Sequence, residues 1–276
     1  MNKPDPGLTW VGGNRTNDDL DETSRKILAA SSSGTSVFDP VLCELAYRWF
    51  CPPGGVVLDP FAGGSVRGVV AAKLGREYVG IDLRPEQIEA NRDQAERICA
   101  EGVMPVWHVG DSAKVLPGLK VAADFVFSCP PYGDLEVYSD RAEDLSAMDH
   151  ADFIAAYRAI IAAAIGKLKP DRFACFVVGD FRDAKGFYRN FVGDTVAAFE
   201  AAGARLYNEA ILVTAAGSLP IRVGKQFSVS RKLGKTHQNV LVFCKGNPKK
   251  ATAACGEVEM DDSLFKADDM PGVEAL

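Results

Sequence analysis

The sequence lacks any apolar run near the roughly 20 residues that a membrane-spanning helix needs, and its N-terminus has no apolar core typical of a secretion signal. It also lacks CxxC pairs, and its seven cysteines are scattered along the chain and odd in number. These absences argue against a membrane protein, a disulfide framework and a zinc site. We therefore expect a cytoplasmic protein with reduced, mostly buried cysteines, no bound metal and no membrane partner.

Acidic residues are absent from one long stretch, although the chain as a whole has a net charge of −6. No Asp or Glu occurs between Glu209 and Glu257. A solvated surface usually mixes charges of both signs, so this stretch favours a surface that binds a polyanion. The candidate nucleic-acid-binding residues are Arg222, Lys225, Arg231, Lys232, Lys235 and His237. His237 has an alternative role, which is only to cap the strand that follows it.

The 276 residues, 47% of them hydrophobic, fit one catalytic domain better than several. Short apolar segments alternate with helical patterns, which predicts an α/β fold: a mostly parallel seven-stranded sheet with an antiparallel last strand and helices on both faces. We place a polar extension at 1–35, the catalytic domain at 36–250 with a basic insertion at about 215–238, and an acidic, disordered tail at 251–276.

A glycine turn follows the first predicted strand, in the sequence DPFAGGS at 59–65. Glycines let the backbone approach a ligand closely, and the next helix offers free amides at its N-terminus. The turn differs from a phosphate loop, which needs GK[ST], and from the GxGxxG dinucleotide motif. It predicts a ligand site at the carboxyl ends of the strands.

Two further acids end the second and third predicted strands. Asp82 lies 23 residues after Asp59, where an acid of this kind of fold accepts hydrogen bonds from both ribose hydroxyls. Asp111 lies beside the same predicted crevice and is placed to accept a hydrogen bond from an adenine amino group. Each aspartate alone could equally be a helix cap or a turn residue. Three acids at three successive strand ends favour the ligand site.

The fourth predicted strand ends in Ser128-Cys129-Pro130-Pro131-Tyr132. Two prolines cannot continue a central strand, so they mark its exit into a stiff turn. Proline also removes backbone donors, which leaves carbonyl groups as acceptors. A tyrosine then follows at the rim of the crevice.

Together these motifs resemble the S-adenosylmethionine-dependent amino-methyltransferases that act on adenine N6 or cytosine N4 of DNA, with their DPFxGxG-like and [DNS]PP[YFW] turns. The segments VFDPVLCELAYRWF, GIDLRPEQIEANRDQ and VGDS are similar to further family segments, and GDFRDAKGFYRNFVGDT resembles phage-encoded members. The resemblance covers about residues 36–247. It implies a Rossmann-like methyltransferase fold, S-adenosylmethionine as cofactor and DNA as partner, with restriction-modification as one setting.

The resemblance also implies roles for individual residues. The cofactor set is Phe38, Asp39, Asp59, Pro60, Phe61, Ala62, Gly63, Gly64, Ser65, Asp82, Asp111 and Ser112. The catalytic set is Cys129, Pro130, Pro131 and Tyr132. In the family, the first side chain of the turn and the next carbonyl accept hydrogens from the target amine, and the aromatic residue stacks on a flipped base.

Cys129 departs from the family pattern, because a thiol is a weaker acceptor than Asp, Asn or Ser. It invites comparison with cytosine C5 enzymes, but those have Pro before a nucleophilic Cys, whereas here Cys precedes the prolines. Further alternatives are methylation of RNA guanine or protein glutamine, and a non-catalytic nucleic-acid-binding subunit with the cofactor fold. The target base, the recognition sequence and a homodimer stay open. The expected DNA-facing loops are 132–150, as a mobile lid, and 217–237.

Overall fold

The computed structural model describes residues 38–131, 144–145, 148–214 and 219–258. This part of the chain divides into two compact units. The larger unit contains residues 38–212 and 238–258, and the smaller contains residues 213–214 and 219–237. The smaller unit overlaps the predicted basic insertion, and the larger contains the predicted strand ends.

One seven-stranded sheet forms the centre of the fold. Its strands are β1 (Val56–Asp59), β2 (Glu77–Asp82), β3 (Val106–Val109), β4 (Ala123–Ser128), β5 (Leu168–Val178), β6 (Arg205–Val213) and β7 (His237–Lys245). Their order is β3-β2-β1-β4-β5-β7-β6. The pairs among β1 to β5 are parallel, and β7 runs antiparallel to β5. The predicted α/β sheet with an antiparallel last strand is therefore confirmed.

The helices connect the strands, and several begin where the sequence signals a start. They are α1 (Pro40–Phe50), α2 (Val66–Lys73), α3 (Pro85–Ile98), α4 (Ser112–Gly118), α5 (His150–Lys167), α6 (Phe191–Ala201), α7 (Leu219–Ser230) and α8 (Pro248–Cys255). Asp39 caps α1 by accepting a hydrogen bond of 2.8 Å from the Val41 amide, and Pro40 fits the first turn. No described helix is long and apolar enough to cross a bilayer.

Apolar side chains bury both faces of the sheet. On one face Tyr157 and Phe191 belong to a cluster that also contains Phe176 and Phe199. On the other face Tyr47, Trp107 and Phe125 belong to a second cluster. Every residue of β4 is buried, as expected for a central parallel strand covered on both sides. The strand ends are therefore the part of the sheet that a ligand reaches.

Two boundaries differ from the expected ones. The sequence predicts a loop at 217–237, but α7 occupies much of this segment. Gly224 and β-branched residues weaken the helical signal there, so the pattern does not predict this helix. Helix α8 crosses the predicted boundary at residue 250, because Ala251 and Cys255 are buried in the core. Most of the expected lid at 132–150 lies outside the described residues.

The order of strands reverses between β1 and β4. From β1 the chain proceeds outward to β2 and β3, whereas β4 lies on the other side of β1 and leads to β5. Connections that leave such a pair in opposite directions open a crevice at the carboxyl ends, which is where this architecture binds ligands. Asp59 ends β1 and Ser128 ends β4, so these residues lie on either side of that point.

Candidate active site

The predicted strand-end residues come together at one edge of the sheet. Asp59 ends β1, opposite Gly80 of β2, and Asp82 ends β2, opposite Val109 of β3. Ser128 ends β4, directly before the Cys129 turn. Because β1 to β4 are parallel, all of these ends face the same edge. The arrangement of the glycine turn, the two acidic strand ends and the proline turn is therefore as the sequence predicts.

Asp59 is fully buried, and protein donors occupy its carboxylate. Its Oδ1 accepts hydrogen bonds from the Ser128 hydroxyl at 2.5 Å and from the Phe61 amide at 3.1 Å. Its Oδ2 accepts from Arg67 Nε at 2.6 Å and from the Tyr78 hydroxyl at 2.7 Å. A carboxylate has about four acceptor positions, so these donors fill it. Asp59 thus fixes the backbone around it.

Arg67 is the buried partner of Asp59 and also holds the glycine turn directly. Its Nη2 donates hydrogen bonds to the carbonyl oxygens of Phe61, at 2.6 Å, and Ala62, at 2.9 Å. Its guanidinium carbon lies 4.7 Å from the centroid of the Phe38 ring. Burial by itself lowers the pKa of Arg67, but the adjacent Asp59 carboxylate outweighs it and raises the pKa above the ordinary value. The guanidinium is therefore a permanently charged brace.

Asp82 differs from Asp59, because its carboxylate retains acceptor capacity. Its Oδ2 accepts a hydrogen bond from the Gly63 amide and its Oδ1 one from the Arg84 amide, each at 2.9 Å. The side chain remains 14% exposed. Burial raises the pKa of Asp82, although the Arg84 amide and guanidinium and the Gly63 amide oppose this shift. The carboxylate joins β2 to the glycine turn, has the Arg84 Nε 3.7 Å from its Oδ1, and is not fully enclosed.

The glycine turn leaves open space above its backbone. Gly63 has a φ of 50°, in the left-handed region that favours glycine. A Cβ placed on Gly63 or Gly64 would meet no heavy atom within 4 Å. Conformation therefore explains Gly63, whereas neither conformation nor packing demands glycine at position 64. The space beside Gly64 is available to a ligand that approaches the backbone.

Helix α3 supports this turn from beneath through two polar side chains. Asn91 is 1% exposed and donates a hydrogen bond of 2.7 Å to the Gly63 carbonyl. Gln94 Oε1 accepts one of 2.5 Å from the Ser65 hydroxyl. The Ser65 hydroxyl is thereby engaged inside the protein. Hydrogen bonds from Arg67 and from α3 therefore both hold the turn.

Asp111 and Ser112 connect the end of β3 to α4. Asp111 caps α4 through a hydrogen bond of 2.9 Å from the Ala113 amide to Oδ1, and Lys114 Nζ lies 3.7 Å from Oδ2. The Ser112 hydroxyl is buried and donates a hydrogen bond of 2.5 Å to the Pro60 carbonyl. Asp111 is thus a helix cap, which is one of the two roles that the sequence allows, and its side chain is still 19% exposed.

Phe38 and Asp39, the candidates for the methionine end, take different positions. The Phe38 ring packs edge-on against Phe127, with 5.7 Å between centroids, and covers the Arg67 guanidinium. The Asp39 carboxylate caps α1 and is exposed. Phe38 therefore contacts the braced turn through Arg67, whereas the hydrogen bonds of Asp39 are directed at its own helix.

The proline turn begins directly after the buried Ser128. Cys129 and Pro131 are half-buried, and Pro130 is buried. Of the seven cysteines, all within the described residues, Cys129 alone is not buried, and none is in a disulfide. Burial raises the pKa of Cys43 to about 12, so that thiol stays protonated. Tyr132, the fourth predicted residue of the turn, lies outside the described residues.

The smaller unit contains the predicted basic residues. Arg231 follows α7 with a φ of 55°, and its guanidinium carbon lies 5.1 Å from the centroid of the Phe227 ring. Lys232 and Lys235 are half-buried, and His237 is exposed as the first residue of β7. The side chains of Arg222 and Lys225 lie outside the described part of the chain. The described cations therefore follow the carboxyl end of α7.

Sequence reasoning did not identify several residues that build this site. Arg67 and Tyr78 share the Asp59 carboxylate with Ser128, and Asn91 and Gln94 support the turn. Arg67 carried a weak signal, since it is a cation within the first turn of a helix, where the dipole disfavours positive charge. The others lie at ordinary strand and helix positions.

A family model described as DNA methylase matches residues 41–93. This segment extends from α1 through most of α3 and includes Asp59, the glycine turn and Asp82. The resemblance predicted from the motifs is confirmed over this segment, and the proline turn lies beyond it.

Curated relatives match this chain over short stretches. Type II methyltransferase M.Cfr9I of Citrobacter freundii is 50% identical over 46 residues, which cover 16% of this chain and 15% of that protein. Type II methyltransferase M.SmaI of Serratia marcescens is 39% identical over 62 residues, covering 22% and 21%. DNA adenine methyltransferase YhdJ of Escherichia coli K12 is 49% identical over 37 residues, covering 13% of each. The matched stretch thus spans less than a quarter of these relatives.

Solved structures share the fold over most of the chain. TrmN from Thermus thermophilus has a TM-score of 0.50 at 18% identity, covering 80% of this chain and 53% of that one. A SAM-dependent methyltransferase from Methanosarcina mazei has a TM-score of 0.50 at 12% identity, covering 76% and 99%. At such identities the likeness establishes the fold, which is the Rossmann-like methyltransferase fold that the motifs implied.

Proposed function

We propose that this chain is an S-adenosylmethionine-dependent methyltransferase that modifies the exocyclic amino group of adenine or cytosine in DNA. The observation that carries the proposal is the crevice at the strand-order reversal. There a glycine turn with open space above it and a partly exposed Asp82 lie at the same sheet edge as the Cys129-Pro130-Pro131 turn.

The cofactor site is proposed from the donors and acceptors of this crevice. Asp82 is the acceptor for the ribose hydroxyls, since its carboxylate is ordered by the Gly63 and Arg84 amides and keeps exposed surface. Asp111, at the next strand end, is the acceptor for the adenine amino group. The backbone of 61–64 forms the wall of the methionine end, and the open space at Gly64 fits a ligand there.

Asp59 contributes to this site through the turn that it holds. Its carboxylate is filled by four donors, so we assign it to positioning, together with Arg67. We also assign Ser65 and Ser112 to positioning, because the Ser65 hydroxyl donates to Gln94 and the Ser112 hydroxyl donates to the Pro60 carbonyl. S-adenosylmethionine, when bound, supplies an activated methyl group on a sulfonium.

The proline turn is proposed to orient the target amine. An exocyclic amine is a poor nucleophile while its lone pair is delocalised into the ring. Acceptors that pull its hydrogens out of the ring plane restore that lone pair, and the Pro130 carbonyl and the Cys129 sulfur are assigned to this role. Tyr132 is assigned to stacking on the base after it leaves the helix. Direct transfer then depends mainly on alignment, which the rigid turn provides.

Transfer of a radiolabelled methyl group from S-adenosylmethionine tests the proposal. The purified chain is incubated with unmethylated DNA, RNA or protein, and mass spectrometry of the nucleosides then distinguishes N6-methyladenine from N4-methylcytosine. We expect label in DNA. Label only in RNA or in protein glutamine would show that DNA is not the substrate. Formation of 5-methylcytosine would show that the enzyme methylates a ring carbon and not an exocyclic amino group.

Variants link that activity to this site. Tyr132→Ala is expected to retain affinity for S-adenosylhomocysteine and lose methyl transfer, whereas Asp82→Ala is expected to lose both. Tyr132→Phe is the matched control and is expected to keep activity, because stacking requires the ring alone. An active Tyr132→Ala variant would remove the stacking role.

A further inference from the structure

A short hairpin follows β5, and the proposed reaction does not use it. The backbone reverses between Phe181 and Arg189, where the Arg189 amide donates a hydrogen bond of 3.0 Å to the Phe181 carbonyl. Arg182 and Tyr188 form an antiparallel bridge, and the Asp183 amide donates to the Phe187 carbonyl at 2.9 Å. We name this element the 181–189 hairpin.

The tip of the 181–189 hairpin is held in one conformation. Asp183 Oδ1 accepts a hydrogen bond of 2.9 Å from the Phe187 amide, and the Gly186 amide donates one of the same length to the Asp183 carbonyl. Arg182 Nη1 donates to the Gly186 carbonyl at 2.8 Å, and its guanidinium carbon lies 3.9 Å from the centroid of the Tyr188 ring. Several bonds therefore fix a turn of only a few residues.

The base of the hairpin is anchored in the core. Phe181 is 4% exposed, and its ring packs against those of Phe191, at 5.5 Å, and Phe153, at 6.4 Å, between centroids. Just before the hairpin, the Asp180 carboxylate accepts a hydrogen bond of 3.2 Å from the Val192 amide. The hairpin is thus a firm projection from the sheet.

This projection presents an aromatic side chain to solvent. Phe187 is 70% exposed, and Lys185 beside it is also exposed. Core packing does not account for an aromatic ring held outward on a turn that is fixed by hydrogen bonds. The hairpin also carries the cations Arg182, Lys185 and Arg189. The Asp183 carboxylate and that of Asp180, just before the hairpin, both accept hydrogen bonds from backbone amides. An exposed aromatic ring on a hairpin that carries cations suits a ligand with both flat rings and several negative charges.

The position of the hairpin follows from the sheet. Strands β4 and β5 are parallel neighbours in which Ser128 lies opposite Phe176. The Cys129 turn leaves the sheet directly after Ser128, and the hairpin begins three residues after Val178, the last residue of β5. Neighbouring strands are about 4.8 Å apart, so both elements leave the same edge side by side.

We propose that Phe187 is a base-stacking wedge that contacts the target nucleic acid beside the proline turn and takes the place of the base that leaves the stack. The inference rests on the proposed function. Aromatic side chains stack on any base, and enzymes that flip a base must offset the stacking energy that the base gives up. A rigid Phe next to the turn that receives the flipped base meets both requirements.

The proposed wedge is tested by comparing the rates of methylation of native and heat-denatured genomic DNA, both initially unmethylated. Flipping is needed for native duplex and not for denatured strands, so Phe187→Ala should slow methylation of native DNA by about tenfold, the scale of one base stack. Methylation of denatured DNA should be nearly unchanged. Phe187→Trp should restore the rate on native DNA. Trp49→Ala, which removes another exposed ring from the far end of α1, should change neither rate.

Other outcomes would overturn the wedge. Equal losses on both forms of DNA would make Phe187 a general positioning residue, and no loss would leave it without this role. A Phe187→Ala variant whose mass in light scattering is halved would assign the ring to a contact between copies of the chain. If the parent chain methylates neither form, the proposed function fails. Binding of native DNA then decides the wedge separately, since a tenfold weaker Kd in Phe187→Ala supports it and an unchanged Kd refutes it.

Discussion

The Ser128 hydroxyl donates a hydrogen bond of 2.5 Å to Asp59 Oδ1 across the point where the strand order reverses. The same hydroxyl accepts a hydrogen bond of 3.2 Å from the Phe61 amide. Ser128 ends the strand that leads into the proline turn, whereas Asp59 and Phe61 begin the glycine turn. One buried hydroxyl therefore fixes the spacing between the proposed cofactor and catalytic turns.

Replacing Ser128 with alanine should loosen that spacing. We expect Ser128→Ala to lower the free energy of unfolding by about 1–3 kcal/mol, because a buried acceptor loses its donor. Methyl transfer should fall more than cofactor affinity does, since the glycine turn keeps Arg67 and Asn91. Urea denaturation, calorimetry with S-adenosylhomocysteine and rate measurements check this. Ser228→Ala removes an exposed hydroxyl of α7 and should cost under about 0.5 kcal/mol. Equal stability of the two variants would contradict the linking role.

Arg67 should be among the residues most critical for stability. Arg67→Met leaves the Asp59 charge buried without its cation, and breaking such a pair costs about 3–5 kcal/mol. Adding Asp59→Asn removes that charge, so the double variant should recover part of the loss. Denaturation of the single and double variants measures this coupling. A double variant that is no more stable than Arg67→Met would show that the charge of Asp59 is not what Arg67 compensates.

An exposed ion pair provides the contrast to that experiment. Arg48 and Glu44 are paired at 2.7 Å on α1, with side chains 56% and 47% exposed. Arg48→Met should therefore cost no more than about 0.5 kcal/mol. A cost comparable to that of Arg67→Met would mean that burial is not the source of the difference.

Asp59 and Asp82 illustrate how far the sequence predicts this site. Both follow apolar segments, so the pattern predicts that both lie at strand ends and on one sheet edge. The pattern does not distinguish them. Their difference arises because Ser128, which is 69 positions from Asp59, and Tyr78, which is 19 positions away, direct hydroxyls at one carboxylate only.

The same limit applies to the helices. Asp39-Pro40 predicts the start of α1 because both the capping bond and the fixed φ of proline are local. The support of the glycine turn by Asn91 depends on where α3 packs, which no local pattern encodes. Local chemistry therefore predicts elements and their ends, whereas long-range packing decides which acids are available to a ligand.

Cofactor binding should depend on pH through Asp82. Burial raises the pKa of this carboxyl above 3.8, so it takes up a proton at a higher pH than an ordinary aspartate. Protonation removes acceptor capacity, and affinity for S-adenosylhomocysteine should fall as the pH drops through the raised pKa. The effect on stability has the opposite sign, because a group whose pKa is raised on folding favours the folded state as the pH falls. Calorimetry from neutral to mildly acid pH measures the affinity. In Asp82→Asn the affinity should be low and independent of pH over this range.

Asp124 is the matched control, because its pKa is shifted in the direction opposite to that of Asp82. Burial alone raises its pKa, but hydrogen bonds from Lys169, the Val56 amide and Arg172 outweigh this and lower the pKa. It therefore contributes stability that is present above the unfolded pKa and disappears as the pH falls through the folded one. Asp124→Asn should reduce stability at neutral pH and leave the pH profile of cofactor affinity unchanged. If the pH profile of cofactor affinity changed in Asp124→Asn, that profile would not report on Asp82 alone.

Variants of Cys129 distinguish a hydrogen-bond acceptor at this position from a nucleophile that forms a covalent intermediate. Cys129→Ser places a better acceptor in a side chain of the same shape and slightly smaller size, and should retain or raise the rate of methyl transfer. Cys129→Ala keeps the Pro130 carbonyl but loses the side-chain acceptor, so it should be slower than Cys129→Ser. Single-turnover rates with labelled cofactor rank the variants. Complete loss in Cys129→Ser, with cofactor affinity intact, would indicate a nucleophilic thiol.

The cations after α7 should supply the electrostatic part of DNA binding. The slope of log K against log salt falls by about 0.9 for each duplex phosphate that the protein no longer neutralises, so Arg231→Gln with Lys232→Gln should reduce it by up to about 1.8. The matched control, Lys73→Gln with Arg97→Gln, removes equal charge from the last turns of α2 and α3. Those turns lie toward the opposite edge of the sheet from the crevice, because both helices start there and run back. Fluorescence anisotropy with a labelled duplex from low to moderate salt gives the slopes. If the control pair reduces the slope as much as Arg231 and Lys232 do, net charge alone governs binding, and the surface after α7 is not where the phosphates lie.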